Sequence, residues 1–310
     1  MKLLNNIYQK AVCSRADDNG AIFYFSAADF AGLRQKNYAF HSSDGHILQG
    51  YFYFYENYKS NHIIVFDHGM GGGHRSYMRE IEVLAKEGYL VFSYDHTGCM
   101  ESGGETTGGF PQSLKDLNDA LTALKADFPN HTFSVIGHSW GGFSTMNIAA
   151  FHPDVKHLIA FSGFISVEQV LKQFFGVFCK GIYKEVLQKE PVYAASSAVE
   201  SLKNTDAKIL IFHSGDDHTV SSKMHFDVLA EAFAEKENVR LIKVNGKKHN
   251  PNYTADAVQY KDAFFAAYKK TAKKLKTEQQ KQAFKDQFDW YRMTEQDMEI
   301  WSQVFEVLKS

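Results

Sequence analysis

The chain has 310 residues, 44% hydrophobic and 15% aromatic, enough to bury a full core in one large α/β domain or two smaller ones. Its net charge of -2 provides no global field for nucleic acid or an anionic membrane, and no RNA- or DNA-binding motif is present. No apolar stretch approaches the roughly 20 residues of a membrane span, and Cys13, Cys99 and Cys179 are too few and too scattered for a disulfide framework or a structural zinc site.

Residues 1–36 read as an N-terminal segment. They open with Lys2 and a short apolar pair but have no continuous apolar core or small-residue cleavage site, so a secretory signal is not expected and a cytoplasmic protein is. Residues 46–55, "HILQGYFYFY", partly alternate and are rich in aromatics, which predicts a half-buried antiparallel strand. The pattern then changes to short apolar runs at 62–67, 89–95, 131–137, 155–163, 207–215 and 239–246, of the kind buried on both faces. Helical stretches are predicted between most of them, at 76–86, 114–128, 139–151, 221–235 and 256–270. Strand, helix, strand repeated in this way predicts an α/β fold, a mostly parallel central sheet with helices on both faces, because parallel neighbours need a crossover. In such sheets ligands gather at the carboxyl ends of the strands.

Every chemically suggestive stretch falls at such an end. "DHGMGGGHRS" follows the run at 62–67, "DHTGCMESGG" follows 89–95, and "GHSWGG" closes 131–137. Glycines two residues before and after Ser139 remove the Cβ atoms that would collide in a sharp strand-to-helix turn, and such a turn lifts a hydroxyl out of the fold. A serine hydroxyl is a poor nucleophile until an imidazole accepts its proton, and the imidazole needs a carboxylate to fix its tautomer. Downstream, "HSGDDHTV" supplies Asp216 and Asp217, and "NGKKHNPNYT" supplies His249.

With these stretches in the order Ser, Asp, His, the chain resembles the α/β-hydrolase superfamily, and within it the monoacylglycerol lipase and serine aminopeptidase-like esterases, over residues 40–270. The resemblance implies Ser139 as nucleophile, Asp217 as acid, His249 as base, and the backbone amides of Met70 and Trp140 as the oxyanion hole. Two positions depart from the family pattern. Met100 stands where a second glycine is usual, and Ser214 stands three residues before Asp217 where a glycine is usual, with Gly215 one step later. The second departure leaves Asp216 as an alternative acid; Asp217 is favoured because Val220 keeps the spacing to a following valine.

Other suggestive residues have blander readings. His68 is expected to brace the oxyanion loop and His138 to fill the turn, while His213, His218 and His225 read as loop or packing residues and Cys99 as an ordinary loop thiol. No metal-ligand spacing appears, and "GMGGG" lacks the Gly-Lys-Ser/Thr of a phosphate loop, so neither metal nor cofactor is expected.

The core is assigned to 37–163 and 206–270, and the long connection at 164–205 to a helical cap. Val170, Leu171, Phe174, Phe175, Phe178 and Ile182 are predicted to share one helix face, with Phe174, Phe175 and Phe178 lining a substrate pocket. Residues 271–310 form a C-terminal helical extension in which Phe284, Phe288 and Tyr291, then Trp301, Phe305 and Leu308, predict two amphipathic helices. These faces pack on the body by default, with a homodimer contact as the alternative. The expected function is a serine hydrolase of carboxylic esters with small to medium acyl chains; acyltransferase, thioesterase or peptidase chemistry shares the same acyl-serine, and a noncatalytic binder normally has a broken triad.

Overall fold

The computed structural model describes residues 2–18 and 22–310. Met1 and residues 19–21 of the N-terminal segment lie outside them. Eight strands form one sheet: β1 (Arg34–His41), β2 (Ile47–Phe54), β3 (Lys59–Asp67), β4 (Tyr89–Tyr94), β5 (Thr132–His138), β6 (His157–Phe161), β7 (Lys208–Ser214) and β8 (Val239–Val244). Their order is β1-β2-β4-β3-β5-β6-β7-β8; β2 runs antiparallel to both its neighbours, β1 and β4, and every other neighbouring pair is parallel. This is the predicted fold class. β1 was not predicted, because an edge strand reading "RQKNYAFH" is mostly exposed and shows no apolar alternation.

Alternate side chains of each central strand enter opposite layers, as the period of two requires. Ile63, Val65, Phe92 and Val135 join one layer with the helices Gln112–Asp127 and Trp140–Asn147. Ile64, Phe66, Val91 and Ile136 join the other with Met78–Lys86 and Met298–Leu308. Both faces are therefore dry, which explains why these strands read as continuous apolar runs.

Between β6 and β7 the helices Val167–Phe175 and Cys179–Lys189 are joined by a 3-10 turn at Gly176–Phe178. Gly176 takes a φ of 53°, which ends the first helix, so the single apolar face predicted from Val170 to Ile182 does not form. Val170, Leu171 and Ile182 are buried, whereas Phe174 and Phe178 are 52% and 57% exposed.

The C-terminal residues form three helices rather than two: Glu278–Lys285, Trp290–Met293 and Met298–Leu308. The last buries Ile300, Trp301, Val304, Phe305 and Leu308 against the second layer, with Trp301 stacked obliquely 5.7 Å from Phe161. Phe284 and Phe288 pack on Phe264. The faces invoked for a dimer contact are thus largely covered within the chain, although Tyr291 stays 46% exposed.

Glu80, in the helix Met78–Lys86, is 2% exposed and accepts a hydrogen bond from Asn252 Nδ2 at 3.0 Å. Burial pushes its pKa from 4.5 up to about 7. The folded protein then holds a proton that the unfolded chain releases near 4.5, so stability is full below that pH and falls as pH rises through 7. Glu80→Gln is expected to be more stable than wild type at pH 8, by about 1–3 kcal/mol, with the two converging toward pH 4.5. Thermal melts across that range check this; a gap independent of pH would mean the carboxyl is not the source.

Candidate active site

Ser139 sits between β5 and the helix Trp140–Asn147 with φ 57° and ψ -109°, a conformation that costs a side-chain-bearing residue roughly 1–3 kcal/mol. Two backbone bonds hold it there: Ser139 N–H donates to Phe161 O at 2.8 Å, and Phe143 N–H donates to Ser139 O at 3.0 Å. The flanking glycines are required by contact. A Cβ on Gly137 would lie 2.2 Å from Gly141 O, and one on Gly141 would lie 2.0 Å from Asp67 O. The strand end and the helix start therefore approach more closely than any side chain permits, and the turn between them is tight enough to present the serine hydroxyl.

That hydroxyl meets the residues predicted to serve it. Ser139 Oγ lies 2.9 Å from His249 Nε2, and His249 Nδ1 lies 2.7 Å from Asp217 Oδ2. A carboxylate only accepts, so Nδ1 carries the proton and Nε2 is left to accept from the hydroxyl. Asp217 is 5% exposed; burial alone would raise its pKa, but hydrogen bonds from His213 and His249 and from the Val220 amide outweigh it and hold the carboxyl below the usual carboxylate range. Its other oxygen accepts from the amides of Thr219 at 2.8 Å and Val220 at 3.0 Å. The Val220 spacing has this physical content: the valine amide anchors the carboxylate.

Asp216 points elsewhere. Its Oδ1 accepts from Ser214 Oγ at 2.5 Å and from the amide of Gly246 at 3.0 Å, tying the end of β7 to the loop after β8. Ser214, where glycine is usual, is thus the donor that occupies Asp216. Asp217→Asn is expected to lower ester turnover about 10⁴-fold by favouring the wrong imidazole tautomer, and Asp216→Asn by less than about tenfold. Steady-state kinetics on the two variants check this; the reverse ranking would shift the acid by one residue.

The loops around the serine are braced by buried polar groups. His68 Nδ1 donates to Gly69 O at 2.7 Å and Nε2 accepts from the His96 amide at 3.1 Å, which steadies the loop carrying Met70. Burial and the neighbouring His96 keep His68 neutral, with its pKa down to about 3. His96 lies 3.1 Å from Asp67 and 3.3 Å from Asp116. Burial opposes its charge, but the two carboxylates prevail and raise its pKa to about 10. The amides of Met70 and Trp140 make no hydrogen bond among the described residues, and both residues line the cavity beside Ser139. Met100 takes a φ of 43°, the left-handed region that a glycine would adopt freely. The N-terminal segment holds it, since Arg15 Nη2 donates to Met100 O at 2.6 Å and the Met100 amide donates to Ala16 O at 3.1 Å. Cys99 is fully buried, and burial pushes its thiol pKa far up, which leaves it an unreactive loop thiol.

His138 does more than fill the turn. Its Nε2 donates to the backbone O of His249 at 2.7 Å, and its Nδ1 accepts from Tyr77 OH at 2.9 Å. Burial drives its pKa well below the ordinary histidine value. A neutral, doubly bonded imidazole thus links β5 to the loop that carries His249. His213 Nε2 donates to Val220 O at 2.8 Å and lies 3.3 Å from Asp217 Oδ2, so it too adjoins the site rather than merely packing.

Ser139 and His249 open into a pocket of about 670 Å³. Phe110, Phe164, Val170, Phe174 and Phe175 form one wall, and Phe110 and Phe174 are parallel at 6.4 Å. Phe178, predicted to line it, does not: the turn at Gly176 carries it away, and it is exposed. Two further walls come from segments with no motif. Ile7, Val12 and Phe23 are contributed by the N-terminal segment, Phe264 by the helix Ala255–Thr271, and Trp290 and Met293 by the C-terminal helix Trp290–Met293. The C-terminal segment also braces the loop that carries His249, since Asp297 Oδ2 pairs with Lys247 Nζ at 2.7 Å, and the same ammonium donates to Tyr253 O at 2.6 Å. Among the described residues no group of His, Cys, Asp and Glu could hold a metal ion, and no helix is long and apolar enough to cross a membrane.

Residues 58–196 match the family model described as serine aminopeptidase, S33. The matched stretch contains Ser139 and ends before Asp217 and His249. Over 111 residues, 35% of each chain, the sequence is 30% identical to monoglyceride lipase of Rattus norvegicus. Over 115 residues, 37% of this chain and 40% of the other, it is 27% identical to a protein of Yersinia enterocolitica named as a carbamate hydrolase. The matches thus span well under two thirds of these relatives. In structure the chain resembles an esterase of Pyrococcus furiosus, with a TM-score of 0.61 and 18% identity over 85% of this chain and 96% of that one.

Proposed function

We propose that the chain, which has the fold of the α/β-hydrolases and matches a family model of serine aminopeptidases over residues 58–196, is a serine hydrolase that cleaves carboxylic esters of small to medium acyl chain through an acyl-serine intermediate. The observation that carries this reading is the unbroken relay from Ser139 Oγ through His249 to Asp217, at 2.9 Å and 2.7 Å.

The reaction follows from that geometry. Ser139 Oγ attacks the ester carbonyl carbon as His249 Nε2 takes the hydroxyl proton, and the developing oxyanion is held by the amides of Met70 and Trp140. His249 returns the proton to the departing alcohol oxygen as the carbonyl re-forms, leaving the acyl group on Ser139. Water then attacks the acyl carbon while giving a proton to His249, and His249 passes that proton to Ser139 Oγ as the acyl–Oγ bond breaks, which releases the carboxylic acid and restores the serine. Asp217 stabilises the imidazolium in both halves without itself taking a proton. The apolar lining of the pocket favours an acyl chain over a polar group, and Phe174 and Phe175 of the proposed cap at 164–205 belong to that lining.

A fluorophosphonate probe tests the reading. Labelling of wild type that disappears in Ser139→Ala supports it, and a folded wild type that takes no label counts against it and favours a noncatalytic binder. The family description supports peptide-bond cleavage as a second reading, because the acyl-serine chemistry is shared. Comparing kcat/KM on p-nitrophenyl esters with that on aminoacyl anilides separates the two.

A further inference from the structure

One charged side chain in the pocket has no part in the proposed reaction. Lys261 lies on the helix Ala255–Thr271, and among the described lining residues it is the sole lysine or arginine, with no aspartate or glutamate beside it in the lining. Its ammonium donates to Asn250 Oδ1 at 2.9 Å and sits 5.0 Å from the centre of the Tyr253 ring. Asn250 follows His249 directly, so the cation stands one side chain away from the base.

An ammonium has three donors and is strongly hydrated in water. Here Phe264, Phe265, Trp290 and Met293 line the same pocket, and burial pulls the lysine pKa below its ordinary value. Glu80 and Asp262 oppose that effect through space without outweighing it, and their direct partners are others: Asp262 pairs with Lys248, and Glu80 is bonded by Asn252. Among the described residues no carboxylate lies within ion-pair distance of Lys261. A partly desolvated cation with donors to spare, facing a cavity that opens onto the reactive serine, is built to receive a negative group from outside the chain.

We infer that Lys261 selects esters bearing a carboxylate on the acyl or the alcohol part, an inference that rests on the ester-hydrolase reading above. The carboxylate replaces water on the ammonium, while the apolar walls hold the carbon chain between it and the ester carbonyl. Lys261 then acts in substrate binding and leaves the chemistry at Ser139 unchanged. A purely structural role, steadying Asn250 and through it the base loop, makes a different prediction, because it affects all substrates alike.

The test compares three esters: p-nitrophenyl butyrate, which is neutral; the mono-p-nitrophenyl ester of glutaric acid, charged on the acyl side; and 4-carboxyphenyl butyrate, charged on the leaving side. Lys261→Met is expected to lower kcat/KM for one of the two charged esters by about 10- to 100-fold, chiefly through KM, and to change the neutral ester by less than about threefold. Which charged ester suffers identifies the side that carries the carboxylate. Lys261→Arg should retain most of the preference and Lys261→Glu should abolish it. Parallel losses on all three esters, or no preference to lose, would overturn the inference. Fluorophosphonate labelling of each variant separates the two levels: labelled enzyme with parallel losses sinks the carboxylate inference alone, whereas unlabelled wild type sinks the serine reading and this inference with it.

Discussion

Ser139→Ala and His249→Ala are each expected to reduce ester hydrolysis by about 10⁴- to 10⁶-fold, and the double variant is expected to be no slower than the worse of the two. The reason lies in the relay. In the proposed reaction the hydroxyl is nucleophilic only while His249 Nε2, 2.9 Å away, accepts its proton, so removing either member removes the same step. What activity remains is expected to come from binding and from the proposed oxyanion amides of Met70 and Trp140, which neither substitution touches. The fold should survive in both variants, because Ser139 holds its strained turn through backbone bonds to Phe161 and Phe143 rather than through its hydroxyl. Single and double variants measured on one p-nitrophenyl ester check the prediction. Losses that multiply in the double variant would mean two independent contributions, and the shared step would have to be abandoned.

Trp301→Ala is expected to destabilise the protein by about 3–5 kcal/mol, and truncation after Lys276 to prevent folding. Trp301 is fully buried under the sheet, against Phe161, with Val304 buried beside it. Loss of the indole leaves a cavity that a sheet layer packed by Ile159, Leu210 and Phe212 cannot close, since the strand backbones are fixed by their ladders on both sides. Truncation goes further: it exposes that layer, removes Trp290 and Met293 from the pocket, and deletes Asp297, which holds Lys247 beside the base loop. Thermal melts and fluorophosphonate labelling read the two consequences separately. A truncated chain that melts like the full one would deny the segment any packing role.

The candidate site was legible early because it depends on short spacings. Gly-x-Ser-x-Gly after an apolar run states a steric demand, and the distances from Gly141 to Asp67 and from Gly137 to Gly141 explain that demand atom by atom. The choice between Asp216 and Asp217 could be favoured from Val220 but not argued geometrically, because adjacent residues on a turn point in different directions and only the fold assigns those directions. His138 and His213 were read as fillers for the same reason. A histidine among fourteen carries no mark of what its ring nitrogens will meet.

The sequence by itself determined the sheet apart from its edge strand β1, the rim on which the suggestive loops gather, and the residue types proposed for the relay, since burial on both faces and tight turns impose local patterns that can be read along the chain. Tertiary structure alone decided what surrounds them. The break at Gly176 turned Phe178 out of the pocket while leaving Phe174 and Phe175 in it; Ile7, Val12 and Phe23 arrived from the other end of the chain; and the C-terminal segment became both a layer of the core and a wall of the site. Lys261 shows the division most plainly. Its neighbours in sequence make it one more lysine on a helix, and only the cavity it faces, apolar and without a carboxylate in its lining, gives its charge a consequence. A periodicity reports how an element meets its nearest layer, whereas a pocket is enclosed by residues far apart in the chain, whose convergence no local pattern encodes.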